Sequence, residues 1–295
     1  MRARVKKKVA LLIALAAATA IAVGPAGTSL AAGSSSTTAA ALRAFGITDD
    51  GKLMATFTTD KPEQLDWVRK FTGLVTDTFV IGIDFRVQDG KFYAVGNHGG
   101  IYTITLPTAN QDVVVTKVSQ LAVGLKGTAF GVDFNPAADR LRVISDNGQN
   151  LRHNLNDGTT VADSQLSNGP GSPASGVTAA AYTNNDLNAD TVTTLFDINT
   201  STAQIVIQSP ANNGLLAPTG ALGKPVALNA GLDIFSDLSG GKTVSNTAFA
   251  TIVDPSSGDA TLNTVDLLTG VATPVNDKPT FPLTITDIAV ALDTN

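Results

Sequence analysis

Three aspartates recur at matching points of one short motif. They are Asp84 in Val80-Ile-Gly-Ile-Asp-Phe85, Asp133 in Ala129-Phe-Gly-Val-Asp-Phe134 and Asp233 in Asn229-Ala-Gly-Leu-Asp-Ile234. Carboxylate oxygens are hard donors, so a converging set could bind Ca²⁺ or another hard cation. A carboxylate repeated once per structural unit has a second use. It can accept hydrogen bonds from backbone amides and tie one unit to the next. Weaker copies of the motif carry Ala181 and Ala289 at the same position. No cofactor is required by this reading, and Ca²⁺ is the candidate ion.

A second polar concentration surrounds Arg142, Asn147, Gln149, Asn150 and Arg152, with Asp139 and Asp146 close by. The two guanidinium forks suit a carboxylate or a sugar hydroxyl. They suit equally an internal pairing with Asp139 or Asp146 across a long turn. The two histidines, His98 and His153, fall at or beside turns and read as solvated. With no cysteine present, they do not make up a zinc ligand set. Neither a Gly-x-Ser-x-Gly elbow nor a phosphate-binding Gly-Lys-Ser/Thr loop occurs. No catalytic residue is therefore nominated. The run Ser167–Pro173 reads as a loop.

The elements that must position these residues repeat. Positions 84, 133, 181, 233 and 289 are spaced by 49, 48, 52 and 56 residues. A period of about 40–50 residues made of short strands indicates propeller blades. Each unit runs from the Asp motif through Asp-Gly or Asn-Gly turns, which supply the positive φ of tight hairpins. The chain ends with one strand, from Ile285, and begins with three, near Leu42–Thr48, Lys52–Thr58 and Leu65–Leu74. The expected fold is an all-β propeller of five four-stranded blades. Its last blade closes when the C-terminal strand joins the N-terminal three, leaving no long free edge. One local conflict exists: Asp60-Lys-Pro-Glu63 resembles a helix start, whereas Leu65, Trp67, Arg69 and Phe71 alternate as a strand does.

Residues 1–31 have the layout of a secretory signal peptide: five basic residues among the first eight, an uncharged run over 9–23, and small residues before Ala31. At 1.5 Å per residue that run spans roughly 22 Å, short of the ~30 Å hydrocarbon core. Residues 32–41 read as a flexible linker and 42–295 as a single propeller domain. Removing the signal leaves 15 basic against 25 acidic residues, net −10. That balance argues against a nucleic-acid partner or an anionic membrane, and nothing suggests membrane insertion after signal removal. The expected location is secreted, extracellular.

The stretches Gly82-Ile-Asp-Phe-Arg86, Thr128 through Val143 and Asn147-Gly-Gln-Asn-Leu-Arg152 resemble a family of bacterial secreted proteins classed only as a domain of unknown function. Gly46 through Leu53, Ala180 through Asn185 and the Pro210–Gly214 loop share the resemblance. It implies export and a repeat fold and supplies no catalytic residues. The functional expectation is a non-catalytic extracellular binding or scaffold module with a glycan or protein ligand. The alternatives are a metal-dependent hydrolase or lyase acting on sugars or lactones, and a structural cell-envelope protein.

Overall fold

The computed structural model describes residues 41–294. The signal segment 1–31 and all of the linker but Ala41 lie outside the described residues. Among the described residues, twenty strands and one short 3-10 turn make up the regular structure. The first strands are β1 (Arg43–Thr48), β2 (Leu53–Thr58) and β3 (Trp67–Thr72). Then come β4 (Val80–Arg86), β5 (Lys91–Gly96), β6 (Gly100–Thr105) and β7 (Val113–Gln120). A second quartet is β8 (Phe130–Asn135), β9 (Arg140–Ser145), β10 (Asn150–His153) and β11 (Thr160–Ala162). A third is β12 (Val177–Tyr182), β13 (Leu195–Asn199), β14 (Gln204–Gln208) and β15 (Leu216–Ala221). The last strands are β16 (Ala230–Ser239), β17 (Lys242–Val253), β18 (Ala260–Val265), β19 (Ala272–Pro274) and β20 (Ile285–Val290).

The fold is all-β and propeller-like. Three sheets have four strands in chain order, beginning at β8, β12 and β16. The remaining sheet has eight strands in the order β20-β1-β2-β3-β7-β6-β5-β4. Within the sheet its two halves are joined by a short parallel pairing of β3 and β7, Phe71 with Val113 and Thr72 with Val114. The C-terminal β20 pairs antiparallel with β1, from Ala44 opposite Val290 to Thr48 opposite Ile285.

Hairpin chemistry explains where the strands turn. Asp89 Oδ1 accepts the Lys91 amide at 3.1 Å, and Gly90 beside it has φ 64°. Asp50, Asp157, Asp254 and Asp266 accept the amide two residues on in the same way. Much of the acidic surplus is thus spent in turns, where the Asp side chain mimics a backbone acceptor.

Strand alternation assigns each face to one neighbour. In β5, Phe92 and Ala94 face β1 and β2, while Tyr93 and Val95 face β8 and β9. Five apolar clusters follow this rule, each packed between neighbouring sets of strands. The innermost strands β4, β8, β12, β16 and β20 pack side by side in a closed ring.

At Asp60–Glu63 the strand pattern prevails over the helix-start signal. Lys61 N bonds Thr58 O and Gln64 N bonds Lys61 O, making two tight turns. Asp66 N then bonds Thr56 O, and Trp67 lies opposite Thr56 in the sheet. Sheet pairing thus recaptures the backbone before a helix can propagate, since a first helical turn is costly to nucleate.

Candidate functional site

The three motif aspartates sit on β4, β8 and β16 of the inner ring. Asp84, Asp133 and Asp233 each present a carboxylate oxygen within 4.8 Å of the other two. Asp287 on β20 is a fourth buried carboxylate of the inner ring, outside that close set, and the four residues are only 3–6 % exposed. The sequence comparison misses Asp287 because it occupies the position of Gly82, two residues before the aligned Ala289. Two residues along a strand is the same face, and that parity is the signal that could have found it.

Each carboxylate holds an amide of the next inner strand. Asp84 Oδ2 accepts Phe134 N at 2.7 Å, and Asp133 Oδ1 accepts Tyr182 N at 3.3 Å. Asp233 Oδ2 accepts Val290 N at 2.5 Å, and Asp287 Oδ2 accepts Ile83 N at 2.9 Å. Asp84 and Asp233 also accept from Phe85 N and Ile234 N, each at 2.6 Å. The inner ring is therefore laced strand to strand by carboxyl acceptors, except from β12, where Ala181 stands in the motif position.

Burial dominates the electrostatics. It pushes Asp84 and Asp133 well above the usual carboxylate range, and the neighbouring aspartates add repulsion. Asp287 is raised in the same way, by burial first. Asp233 is pushed up to about 6 by burial, against the pull of its two amide donors. Among the described residues no arginine or lysine forms an ion pair with any of the four.

A cavity of about 50 Å³ lies at the end of the ring where the inner strands start. Its lining includes Asp287, Thr178, Thr128 and Asn229. Thr178 is 1 % exposed, and its hydroxyl has no hydrogen-bond partner.

The second constellation lies elsewhere, between the β8–β11 and β12–β15 sheets. Arg142 is 2 % exposed. It donates to Asp163 Oδ2 and Asn150 Oδ1 at 2.7 Å, to Asn212 Oδ1 at 2.8 Å, and to the Tyr182 hydroxyl at 3.3 Å. Arg152 forks onto both oxygens of Asp163 at 2.9 Å. Burial opposes ionisation of Asp163, but the two arginines outweigh it and hold the carboxyl below its usual range. Asn147 accepts from Ser145 Oγ and Gln149 N, while Gln149 bonds Lys126 N and Gly124 O. All five residues are thus engaged inside the protein.

Two expectations need correction here. The partner of the arginines is Asp163, at the end of β11. Asp139 instead binds Arg86 at 2.6 Å, and Asp146 binds Thr128. His153 is not a solvated turn residue. It is fully buried on β10, bonded at 2.9 Å to Ser119 Oγ and Thr160 Oγ1, and burial lowers its pKa. The His98 side chain is 60 % exposed.

A third feature left no trace in the motifs. Asp197 on β13 is fully buried, and neither carboxylate oxygen has a hydrogen-bond partner. Burial pushes its carboxyl well up, while the Arg142 charge pulls the other way.

No curated protein matches this chain. Among solved structures, a chain of a nidogen/laminin complex is similar at TM-score 0.45 and 10 % identity, covering 85 % of this chain and 98 % of that one. A protein of unknown function from Bacteroides thetaiotaomicron gives 0.43 and 14 %, covering 82 % and 64 %. The WD40 domain of Toxoplasma gondii coronin gives 0.39 and 13 %, covering 80 % and 56 %. The sequence-family comparison is decisive where these are not: matched over residues 53–289, the chain belongs to the family described as Domain of unknown function (DUF4394).

Proposed function

We propose that this protein is an exported five-bladed propeller acting as a non-catalytic extracellular binding or scaffold module. The blades are the quartets β20-β1-β2-β3, β4–β7, β8–β11, β12–β15 and β16–β19. Support for five comes from the five inner strands packed in a ring and the five apolar clusters between quartets.

One observation carries the scaffold reading: the polar side chains best suited to chemistry are bonded to one another or to backbone. Arg142, Asn150 and Arg152 make an internal network around Asp163, and the ring carboxylates hold strand amides. Such networks favour rigidity over turnover. The cavity above the ring, about 50 Å³, holds water-sized occupants. A sugar or lactone needs a pocket of about 300 Å³ or more. Binding then falls to the loops that the rigid frame presents.

The test uses purified chain 32–295 against panels of envelope glycans, glycosides and lactones. Saturable binding that leaves the ligand chemically unchanged is expected. Turnover abolished by Asp133→Asn would replace the scaffold with the hydrolase or lyase reading.

A further inference from the structure

We propose that the cavity at the mouth of the inner ring receives a primary ammonium group on an alkyl stem, the end of a lysine side chain or of a free alkylamine. The site is separate from whatever the outer loops bind.

Backbone geometry builds the cavity. Three of the five inner strands carry a bulge where they enter the ring. Val80 pairs with Gly96 and Gly82 with Val95, which leaves Ile81 as an extra residue. Val177 pairs with Asn199 and Ala179 with Ile198, which leaves Thr178. Ile285 pairs with Thr48 and Asp287 with Ile47, which leaves Thr286. All three extra residues line the cavity. A bulge breaks the alternation of a strand and re-aims a side chain, commonly beside a functional site. Here the device recurs on β4, β12 and β20 around one space.

An unmet polar group marks the same space. Thr178 is 1 % exposed, and its hydroxyl has no hydrogen-bond partner. Buried hydroxyls are normally bonded. A ligand N–H in the cavity supplies the bond that the fold does not.

The lining sets the sign of the ligand. Asp49 at the exposed rim and the buried Asp287 contribute carboxyl groups, and no lysine, arginine or histidine among the described residues lines the cavity. Asp49 Oδ1 accepts from Asn229 Nδ2 at 2.8 Å, and Asp287 Oδ2 accepts Ile83 N. A carboxylate keeps further lone pairs beyond one such bond. An anion would find no counter-charge here. Phe79 and Phe130 complete the lining. Aromatic rings suit a cation carried on a hydrocarbon stem, whereas a Ca²⁺ ion wants six to eight oxygens around it.

Size narrows the class. The cavity measures about 50 Å³. One water needs about 10–15 Å³ of such volume, so the space takes roughly three to five heavy atoms. An ammonium head and its first methylenes fit. A quaternary ammonium brings no N–H for the Thr178 oxygen.

The test titrates butylamine hydrochloride into chain 32–295 at fixed ionic strength, followed by saturation-transfer NMR. Saturable binding with a Kd on the order of 1 mM is expected for a ligand of this size. The neutral isostere 1-butanol and tetramethylammonium should each bind at least about tenfold more weakly. Thr178→Val keeps the side-chain shape and removes no bond of the fold. It should melt at the parent midpoint and weaken butylamine about tenfold, as loss of a hydrogen bond to a charged group requires. Asp49→Asn, at the exposed rim, should weaken it by about two- to fivefold. Nα-acetyl-lysine methylamide separates the two sources. Affinity equal to that of butylamine assigns the site to a protein's lysine, and loss of binding with butylamine retained assigns it to free amines. No saturation below about 100 mM butylamine would overturn the site. So would equal binding of 1-butanol, or a Thr178→Val variant that binds butylamine as the parent does.

Discussion

At the scale of single residues, Asp197 is a cost without visible compensation. Its two oxygens are buried without a hydrogen bond. On the same face of the sheet, Val206 lies directly opposite and Gln208 two residues further along β14, with Gln208 Oε1 also lacking a partner. The Arg142 charge on β9 acts on it, but that guanidinium is bonded to Asp163, Asn150, Asn212 and Tyr182. Because burial raises the Asp197 carboxyl well above its ordinary value of 3.8, the native state holds this proton more tightly than the unfolded chain does. Stability from that proton is fully present below about 3.8 and is lost as the pH climbs through the native value. Asp197→Asn replaces the titrating group by an amide that brings two donors to the face where Gln208 Oε1 lacks one. Urea melts of parent and variant between pH 4 and pH 7 should diverge. The variant should be the more stable by about 1–3 kcal/mol at pH 7, with the gap narrowing toward pH 4. Parallel curves would mean that Asp197 finds compensation in solution.

At the scale of elements, the glycine of the Gly-x-Asp motif matters as much as its aspartate. A Cβ on Gly131 would stand 2.6 Å from Ala180 N and 2.7 Å from Ala179 C, the backbone of the next inner strand. On Gly231 it would stand 2.7 Å from Asp287 Cα, again on the next inner strand. These glycines let neighbouring inner strands approach until an Asp can reach the next strand's amide. Gly131→Ala should therefore destabilise by about 1–3 kcal/mol through overpacking. Gly124→Ala, where a Cβ meets nothing within 4 Å, should stay within about ±0.5 kcal/mol. Denaturant midpoints distinguish the two. The motif was legible because one geometric demand, close approach plus an amide acceptor, recurs on β4, β8 and β16. Asp287 was not legible at the motif position, because β20 meets the same demand one pleat earlier. The Arg142–Asp163 pair was hidden for another reason. Asp163 lies 21 residues downstream, where a strand edge and not a motif brings it close. His153 read as solvated since its neighbour in sequence is a turn, whereas β7 and β11 cover it from the sides.

At the scale of the whole molecule, the ring depends on the strand that arrives last. β20 supplies Asp287 to the Ile83 amide and receives Asp233 at the Val290 amide, so both of its neighbours in the ring are tied through it. It also fills the open side of β1, an edge that would otherwise present unpaired backbone groups. Ile285, Ile288 and Val290 are buried to 4 % exposure or less. At about 1.5–3 kcal/mol for each such side chain, their burial alone contributes roughly 5–9 kcal/mol as an upper estimate. A domain's entire stability is about 5–15 kcal/mol. A chain ending at Thr284 should consequently lose its cooperative thermal transition and associate through the exposed β1 edge. Adding a synthetic peptide of residues 285–293 in trans should restore the transition, with a midpoint that rises with peptide concentration as binding to the folded state requires. If the shortened chain instead melts cooperatively at the midpoint of the full one, the inner strands hold together without closure, and the carboxylate ties between β16, β20 and β4 are dispensable.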